Sequence, residues 1–342
     1  MTKTTYRDAG VDIAAGNRAV HLMKSAVQST YGKEVLAGIG AFGGHFDAAA
    51  LKGMAAPVLV ASTDGVGTKT KIAAALGRYD SIGHDIVGHC VNDILVQGAR
   101  PLFFLDYVAF NKLVPERVAA IVTGIADACK SVGCALLGGE TAEMPGVYED
   151  NEFDLVGTII GAVERGRIID GSGIETGDII IGIASNGLHT NGFSLARKVL
   201  AGRDLTALVP ELGRSLGDAL LAPHRPYLNE LEELWRAGVT VKGMAHITGG
   251  GLIENPPRIL PERIAARIRR GAWPMPPLFQ LIQREGGIDP HEMARVFNVG
   301  LGMLLFVPEK EAQKALNVIG KDAWIVGEAI RRMSDAVELV EA

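Results

Sequence analysis

The chain has 342 residues, 48% of them apolar and 21% charged, and its 34 basic and 39 acidic side chains leave a net charge of −5. This is globular usage: it excludes a disordered tail or a fibre, offers no basic field for DNA or RNA, and at roughly 100–200 residues per domain predicts two domains. Glycine is the outlier, 43 residues, which points to turns and to backbone that approaches ligands closely.

In chain order, Val20, Met23 and Val27 recur at helical spacing from Asn17, and Gly32 closes the pattern. The glycine-rich stretch Gly38-Ile-Gly-Ala-Phe-Gly-Gly44 follows. Pro57 opens Val58–Ala61, read as a buried strand running into Ser62-Thr-Asp-Gly65. Asp85 to Gln97 reads as a helix stopped by Gly98, Leu102 to Phe110 as a strand, and Pro115 to Gly133 as a second long helix with Pro at its start. Ala135–Leu137 is a third strand ending in Gly138-Gly-Glu140, and Phe153–Val163 a fourth. Four glycines among charges between Arg165 and Asp178 place a domain boundary near Asp170. Beyond it, strands are predicted at Ile179–Ala184, Val239–Ile247, Met303–Val307 and Trp324–Val326. Helices are predicted from Phe193, at Leu278–Arg284 and at Glu309–Ile319. Both halves mix strands and helices, so the fold class is α/β or α+β in two domains, 1–170 and 171–342.

Several of these junctions carry chemistry. Gly38–Gly43 matches G-x-G-x-x-G by letter, but a helix precedes it and no helix follows, so a dinucleotide site fails on context. Gly38, Gly40, Gly43 and Gly44 suit instead a loop whose amides wrap a phosphate, and four glycines in seven residues predict a mobile lid anchored by Phe42. Asp64-Gly-Val-Gly-Thr-Lys69 delivers a carboxylate into a glycine turn. Asp64 suits Mg²⁺, the turn at Gly65, Gly67 and Thr68 suits phosphate oxygens, and Lys69 suits their neutralisation. Asp93 borders an apolar helix stripe and Asp106 interrupts an apolar strand. Buried carboxylates need a partner, and either an arginine or a metal serves. Glu140, with Gly139 and Thr141, lies just past a strand. Ser185-Asn-Gly-Leu-His-Thr-Asn-Gly192 repeats the pattern, with His189 for proton transfer and Asn191 for nucleotide contact. No HExxH, no G-x-S-x-G and no supported Cys–His pair is present. Cys90, Cys129 and Cys134 have no CxxC spacing and suit a reducing compartment. The opening residues lack an apolar leader core and the apolar runs fall short of a span, so a cytoplasmic protein without membrane or nucleic-acid partners is expected.

Taken together, Tyr6–Ile13 with Gly16-Asn17, Gly38–Gly44, Asp64–Lys69, Asn92-Asp93, Gly138–Gly146, Ser185–Gly192, His246–Gly251, Phe297–Met303 and Gly327-Glu328 resemble the phosphoribosylformylglycinamidine cyclo-ligase (aminoimidazole ribonucleotide synthetase, PurM) family over essentially the whole chain. Asn186, Thr190 and Ala222-Pro-His-Arg-Pro226 depart from its pattern, the last where a threonine is expected after the proline. The resemblance implies two α/β domains, with N-terminal strands forming a barrel across a homodimer. It implies ATP and Mg²⁺, with K⁺ as a further ion, and formylglycinamidine ribonucleotide as substrate. Lys69, Glu140 and His189 stand as its catalytic candidates, and Asp64, Asp93 and Asp106 as its metal ligands. Selenophosphate synthetase and thiamine-monophosphate kinase share the architecture and are the alternatives. A dinucleotide oxidoreductase rests on Gly38–Gly43 alone.

Overall fold

Asp12 sets the first element. Its carboxylate accepts from the amides of Ala14 and Ala15 and so starts helix α1 (Ile13–Gln28) earlier than the apolar spacing alone suggests. The computed structural model describes Tyr6 and residues Gly10–Glu341; Arg7, Asp8 and Ala9 of the N-terminal motif lie outside the described residues. The chain divides into two units, Met1–Ile94 with Ala99–Gly166 and Leu95–Gly98 with Arg167–Ala342.

In the first unit, β1 (Val35–Ala37) and β2 (His45–Phe46) pair antiparallel and flank the glycine loop. Then come β3 (Pro57–Gly65), α2 (Thr70–Leu76), α3 (Asp80–Leu95), β4 (Arg100–Phe110), α4 (Pro115–Ser131), β5 (Ala135–Glu143) and β6 (Phe153–Glu164). The four long strands form a sheet in the order β3-β6-β4-β5, parallel only between β4 and β5. One face is core: Phe104, Val108, Leu155 and Ile159 are buried, as are Ile82 and Ile86 on α3 and Ile121 and Ile125 on α4. The two helices meet where Gly83 and Gly124 allow it; a Cβ at Gly83 would collide with the backbone of Ile121 and Ile125.

Two expectations need correction here. The Val58–Ala61 segment is not a buried strand. β3 alternates half-buried and exposed residues, and Leu59 is 63% exposed because the sheet's second face is open. Ala135–Leu137 does not end before Gly138. The ladder to β4 continues from Ala135 to Glu143, so Gly138, Gly139 and Glu140 are strand residues.

The second unit has a short hairpin, β8 (Leu208–Val209) with β9 (Arg214–Ser215), after β7 (Ile179–Ala184). Its main sheet adds β10 (Gly243–His246), β11 (Ile264–Arg270), β12 (Leu301–Val307), β13 (Ala323–Arg331) and β14 (Val337–Glu341), in the order β10-β12-β7-β13-β11-β14. Every residue of β12 is buried. The helix Glu309–Ile319 lies where predicted.

Candidate active site

β3 carries Asp64 to its end. There one carboxylate oxygen accepts from the Gly65 amide at 2.8 Å, and the other lies 3.0 Å from Nε2 of His89 on α3. One turn further along α3, Asp93 lies 4.0 Å from the same nitrogen and accepts from the Ser62 hydroxyl at 2.9 Å. Burial alone would raise the Asp64 carboxyl and lower the His89 imidazole. Their hydrogen bond and opposite charges reverse both, holding Asp64 below 3.8 and His89 above 6.5. The structure therefore brings Asp64 and Asp93 together around one imidazole. Two half-exposed carboxylates are a hard oxygen donor set of the kind Mg²⁺ takes.

Lys69 goes elsewhere. The turn Gly67–Lys69 winds as a 3-10 helix and carries the side chain inward, fully buried, where Nζ donates to Asp85 at 2.7 Å. Burial lowers its pKa against the pull of Asp85. The expectation of a phosphate-facing Lys69 is corrected on this geometry: Gly67 and Thr68 stay at the surface of the turn, and Lys69 props it from below.

A cavity of about 860 Å³ lies in the same unit. Gly38, Gly40, Gly43, Gly44, Asp106, Gly139, Glu140 and Thr141 line it, together with apolar side chains of α1, α4 and the sheet. Asp64, Gly65, Gly67, Thr68, Lys69 and Asp93 are not in its wall. Tyr31 and Leu137, not Phe42, anchor the loop. Tyr31 accepts from the Ile39 amide at 2.8 Å, a Cβ at Gly38 would strike its hydroxyl, and one at Gly44 would strike Leu137, while Phe42 is fully exposed. Gly40 has φ +97°, whereas Gly43 has ordinary φ and open space around it.

Asp106 is not a neighbour of the other two aspartates. In the sheet register Asp64, Gly157, Asp106 and Gly139 form one row across four strands. The space over Gly157 is filled by Phe104 and Ile86. Burial pushes the Asp106 carboxyl up to about 7. A desolvated acid screened from Asp64 by an aromatic ring does not fit a shared Mg²⁺ site, which corrects its reading as a metal ligand.

In the second unit His189 sits buried with φ +59°, its Nε2 accepting from the amides of Asn186 (3.2 Å) and Arg225 (3.5 Å). His224 stacks on it at 4.0 Å between ring centroids, and His224 Nε2 meets His246 Nε2 at 3.0 Å. Asn191 donates to Thr190 at 3.4 Å. Asn298 ties the loop together through Gly187, Ser185 and Gly300. Sequence reasoning did not single out His89, Asp85 or Tyr31, whose partners Asp64, Lys69 and Ile39 lie on other elements. His224 had a signal, standing where a threonine is expected, and His246 and Asn298 lie in motifs that carry the family resemblance.

Residues 45–163 match the family described as AIR synthase related protein, N-terminal domain, and residues 175–340 match AIR synthase related protein, C-terminal domain. The phosphoribosylformylglycinamidine cyclo-ligase of Shouchella clausii (strain KSM-K16) is 52% identical over 328 residues, 94% of each chain. That of Geobacter sulfurreducens (strain ATCC 51573 / DSM 12127 / PCA) is 51% identical over 349 aligned positions, covering 100% of this chain and 99% of that one. Among solved structures, hydrogenase maturation protein HypE in complex with ATP superposes with a TM-score of 0.71 at 19% identity, over 98% of this chain and 94% of that one. Thiamine-monophosphate kinase from Stenotrophomonas maltophilia K279a gives 0.66 at 17%, over 93% and 95%. At these identities the structural likeness establishes the fold.

Proposed function

The chain belongs to the phosphoribosylformylglycinamidine cyclo-ligase family, and from that premise we infer how its residues carry out ATP-dependent closure of formylglycinamidine ribonucleotide to 5-aminoimidazole ribonucleotide in purine biosynthesis. What carries the reading is that the similarity runs through both domains and the full length of the chain.

The chemistry requires no enzyme nucleophile. A formamide oxygen is a poor leaving group, and transfer of the ATP γ-phosphoryl to it makes it a phosphate. The amidine nitrogen of the same substrate then attacks the adjacent carbon and phosphate departs. The protein's work is positioning and charge stabilisation. Asp64 and Asp93 are the residues that fit Mg²⁺, with His89 the group that yields when a cation takes Asp64. Mg²⁺ held there would neutralise charge on the triphosphate. The amides of Gly65, Gly67 and Thr68, kept in place by Lys69 below, suit phosphate oxygens. The glycine loop Gly38–Gly44, with Gly139 and Thr141, borders the nucleotide. Glu140, exposed on its strand and in the wall of the cavity, is the catalytic carboxylate of this reading. In the second domain His189 would take part in proton transfer and Asn191 would contact the nucleotide; backbone amides of Asn186 and Arg225 hold the His189 ring in place.

A homodimer joined over the open face of the first unit's sheet is part of this proposal. Leu59, Ala61 and Thr63 are exposed there in mid-strand, which a second copy would cover. Among the described residues no helix is long and apolar enough to cross a membrane, consistent with the proposed cytoplasmic location.

Isotope labelling tests the chemical step. With ¹⁸O in the formyl group, the label should appear in released phosphate. Label retained in another product, or a phosphorylated enzyme that goes on to product, overturns the scheme.

A further inference from the structure

Three buried histidines meet in the second unit, and only His189 has a part in the chemistry given above. His189 comes from the Ser185–Gly192 loop, His246 from the end of β10, and His224 from the Ala222–Pro226 segment between them. Each offers a ring nitrogen within 4.8 Å of the other two.

His224 Nε2 lies 3.0 Å from His246 Nε2, with the ring planes crossed at 60°. Two lone pairs cannot face each other at that distance, so a proton lies between them. A tetrahedral Zn²⁺ with bonds of about 2.0–2.1 Å holds two imidazole nitrogens about 3.4 Å apart. The pair is therefore about 0.4 Å short of a chelating separation, and its crossed planes can converge on one ion. The other ring nitrogen of His224, Nδ1, lies 3.4 Å from the Thr190 hydroxyl. A hydroxyl accepting the Nδ1 proton leaves Nε2 as the donor atom, the usual support of a metal-bound histidine. His189 supplies the third ring, stacked on His224 with centroids 4.0 Å apart and planes 23° apart. Stacked rings aim side by side, so the stack opens when both reach one ion. Three imidazoles without a carboxylate form a borderline donor set, which selects Zn²⁺ or Co²⁺ over Mg²⁺.

We propose that His189, His224 and His246 form a site for a borderline divalent ion, Zn²⁺ above all, and that occupancy stops turnover by taking His189 out of proton transfer. The ion replaces the proton between His224 and His246, which moves to Nδ1 of His246, so no outside base is needed. The inhibitory half rests on the part given to His189 above; the binding half does not. Asp64 and Asp93, a hard oxygen set, keep Mg²⁺.

Co²⁺ is the probe, because its visible absorption is intense only in four-coordinate sites. Metal-free wild type should bind one Co²⁺ per chain with that absorption, and Zn²⁺ should displace it. His224→Thr and His224→Gln each remove one donor. Both should weaken binding by more than the about 10–100-fold that loss of an outer-shell partner costs. In turnover at saturating Mg²⁺ and ATP, Zn²⁺ should inhibit wild type at the concentration that fills the site, and the variants should need about a hundredfold more. Two substitutions at one position guard against a variant that does not fold. Absent Co²⁺ absorption in wild type, or equal affinity in both variants, overturns the site and leaves the His224–His246 contact a hydrogen bond. Zn²⁺ inhibition that persists in variants unable to bind Co²⁺ overturns the inhibitory half and places the inhibiting ion at Asp64 and Asp93. Stoichiometric binding without inhibition overturns the same half together with the proton-transfer role of His189, and leaves the site standing.

Discussion

Asp64 and His89 show how one contact ties stability to pH. His89 is raised above 6.5 in the folded state, so its bond to Asp64 stabilises the protein fully below that pH, and the contribution is lost as pH rises through the folded-state value. Asp64 is lowered below 3.8, so its side of the pair is present above 3.8 and lost only as pH falls through the lower folded value. The stability gap between wild type and His89→Asn, measured by urea unfolding, should therefore be widest near pH 5–6 and narrow toward pH 8–9; a gap that widens with pH contradicts the assigned pairing. At the glycine loop the residue to test is Gly40. Gly43 has ordinary φ, whereas Gly40 at φ +97° would strain any β-branched residue by about 1–3 kcal/mol. Gly40→Val should raise the ATP KM several-fold or uncouple hydrolysis from ring closure, and Gly43→Ala should change neither. Hydrogen exchange at Gly38–Gly44 should slow when an ATP analogue is added; equal protection in both states removes the lid.

Between α2 and α3, the buried pair of Lys69 and Asp85 decides how the Asp64 turn is held. Removing one partner of a buried ion pair leaves the other's charge stranded, at a cost of about 3–5 kcal/mol. Lys69→Met and Asp85→Asn should each lower the denaturant midpoint by a corresponding amount. If Lys69→Met abolishes turnover at unchanged stability, the lysine reaches a phosphate after all. Elements of this kind also show where the sequence was legible. The helix Glu309–Ile319 was found at its residues because its apolar positions recur cleanly and Gly320 stops it. β11 went unseen because Arg267, Arg269 and Arg270 hide its apolar alternation, and their partners Glu338, Glu328 and Glu341 lie on strands far along the chain. Lys69 was misread for the same reason: its local motif pointed to phosphate, while Asp85, which determines its direction, belongs to α3.

For the molecule as a whole, the open sheet face is the feature to probe. Leu59→Asp places a charge amid Ala61, Ile160 and Leu105 on that face while leaving the core face untouched. It should convert a dimer to a monomer in sedimentation velocity, with unfolding otherwise little changed; a dimer that persists assigns the contact to another surface. The mixed strand-and-helix class of both halves was readable from the alternation of apolar runs with helical spacing. The separation of Asp106 from Asp64 was not, since it depends on which residues stand opposite one another across four strands.

The short segment Leu95–Gly98 belongs to the second unit although the chain on either side of it belongs to the first. Its Gln97 carbonyl accepts from the Ile169 amide at 3.2 Å, and Gly98 lies too close to the Arg167 carbonyl to carry a side chain. At about 5–20 residues per second, a nascent chain exposes Gln97 to solvent for several seconds before Ile169 leaves the ribosome. Gene fragmentation at Gly166 would make that wait permanent. The natural cut between the two halves is thus not a single position in the gene, and a split version would have to carry Leu95–Gly98 on one piece and its partners on the other.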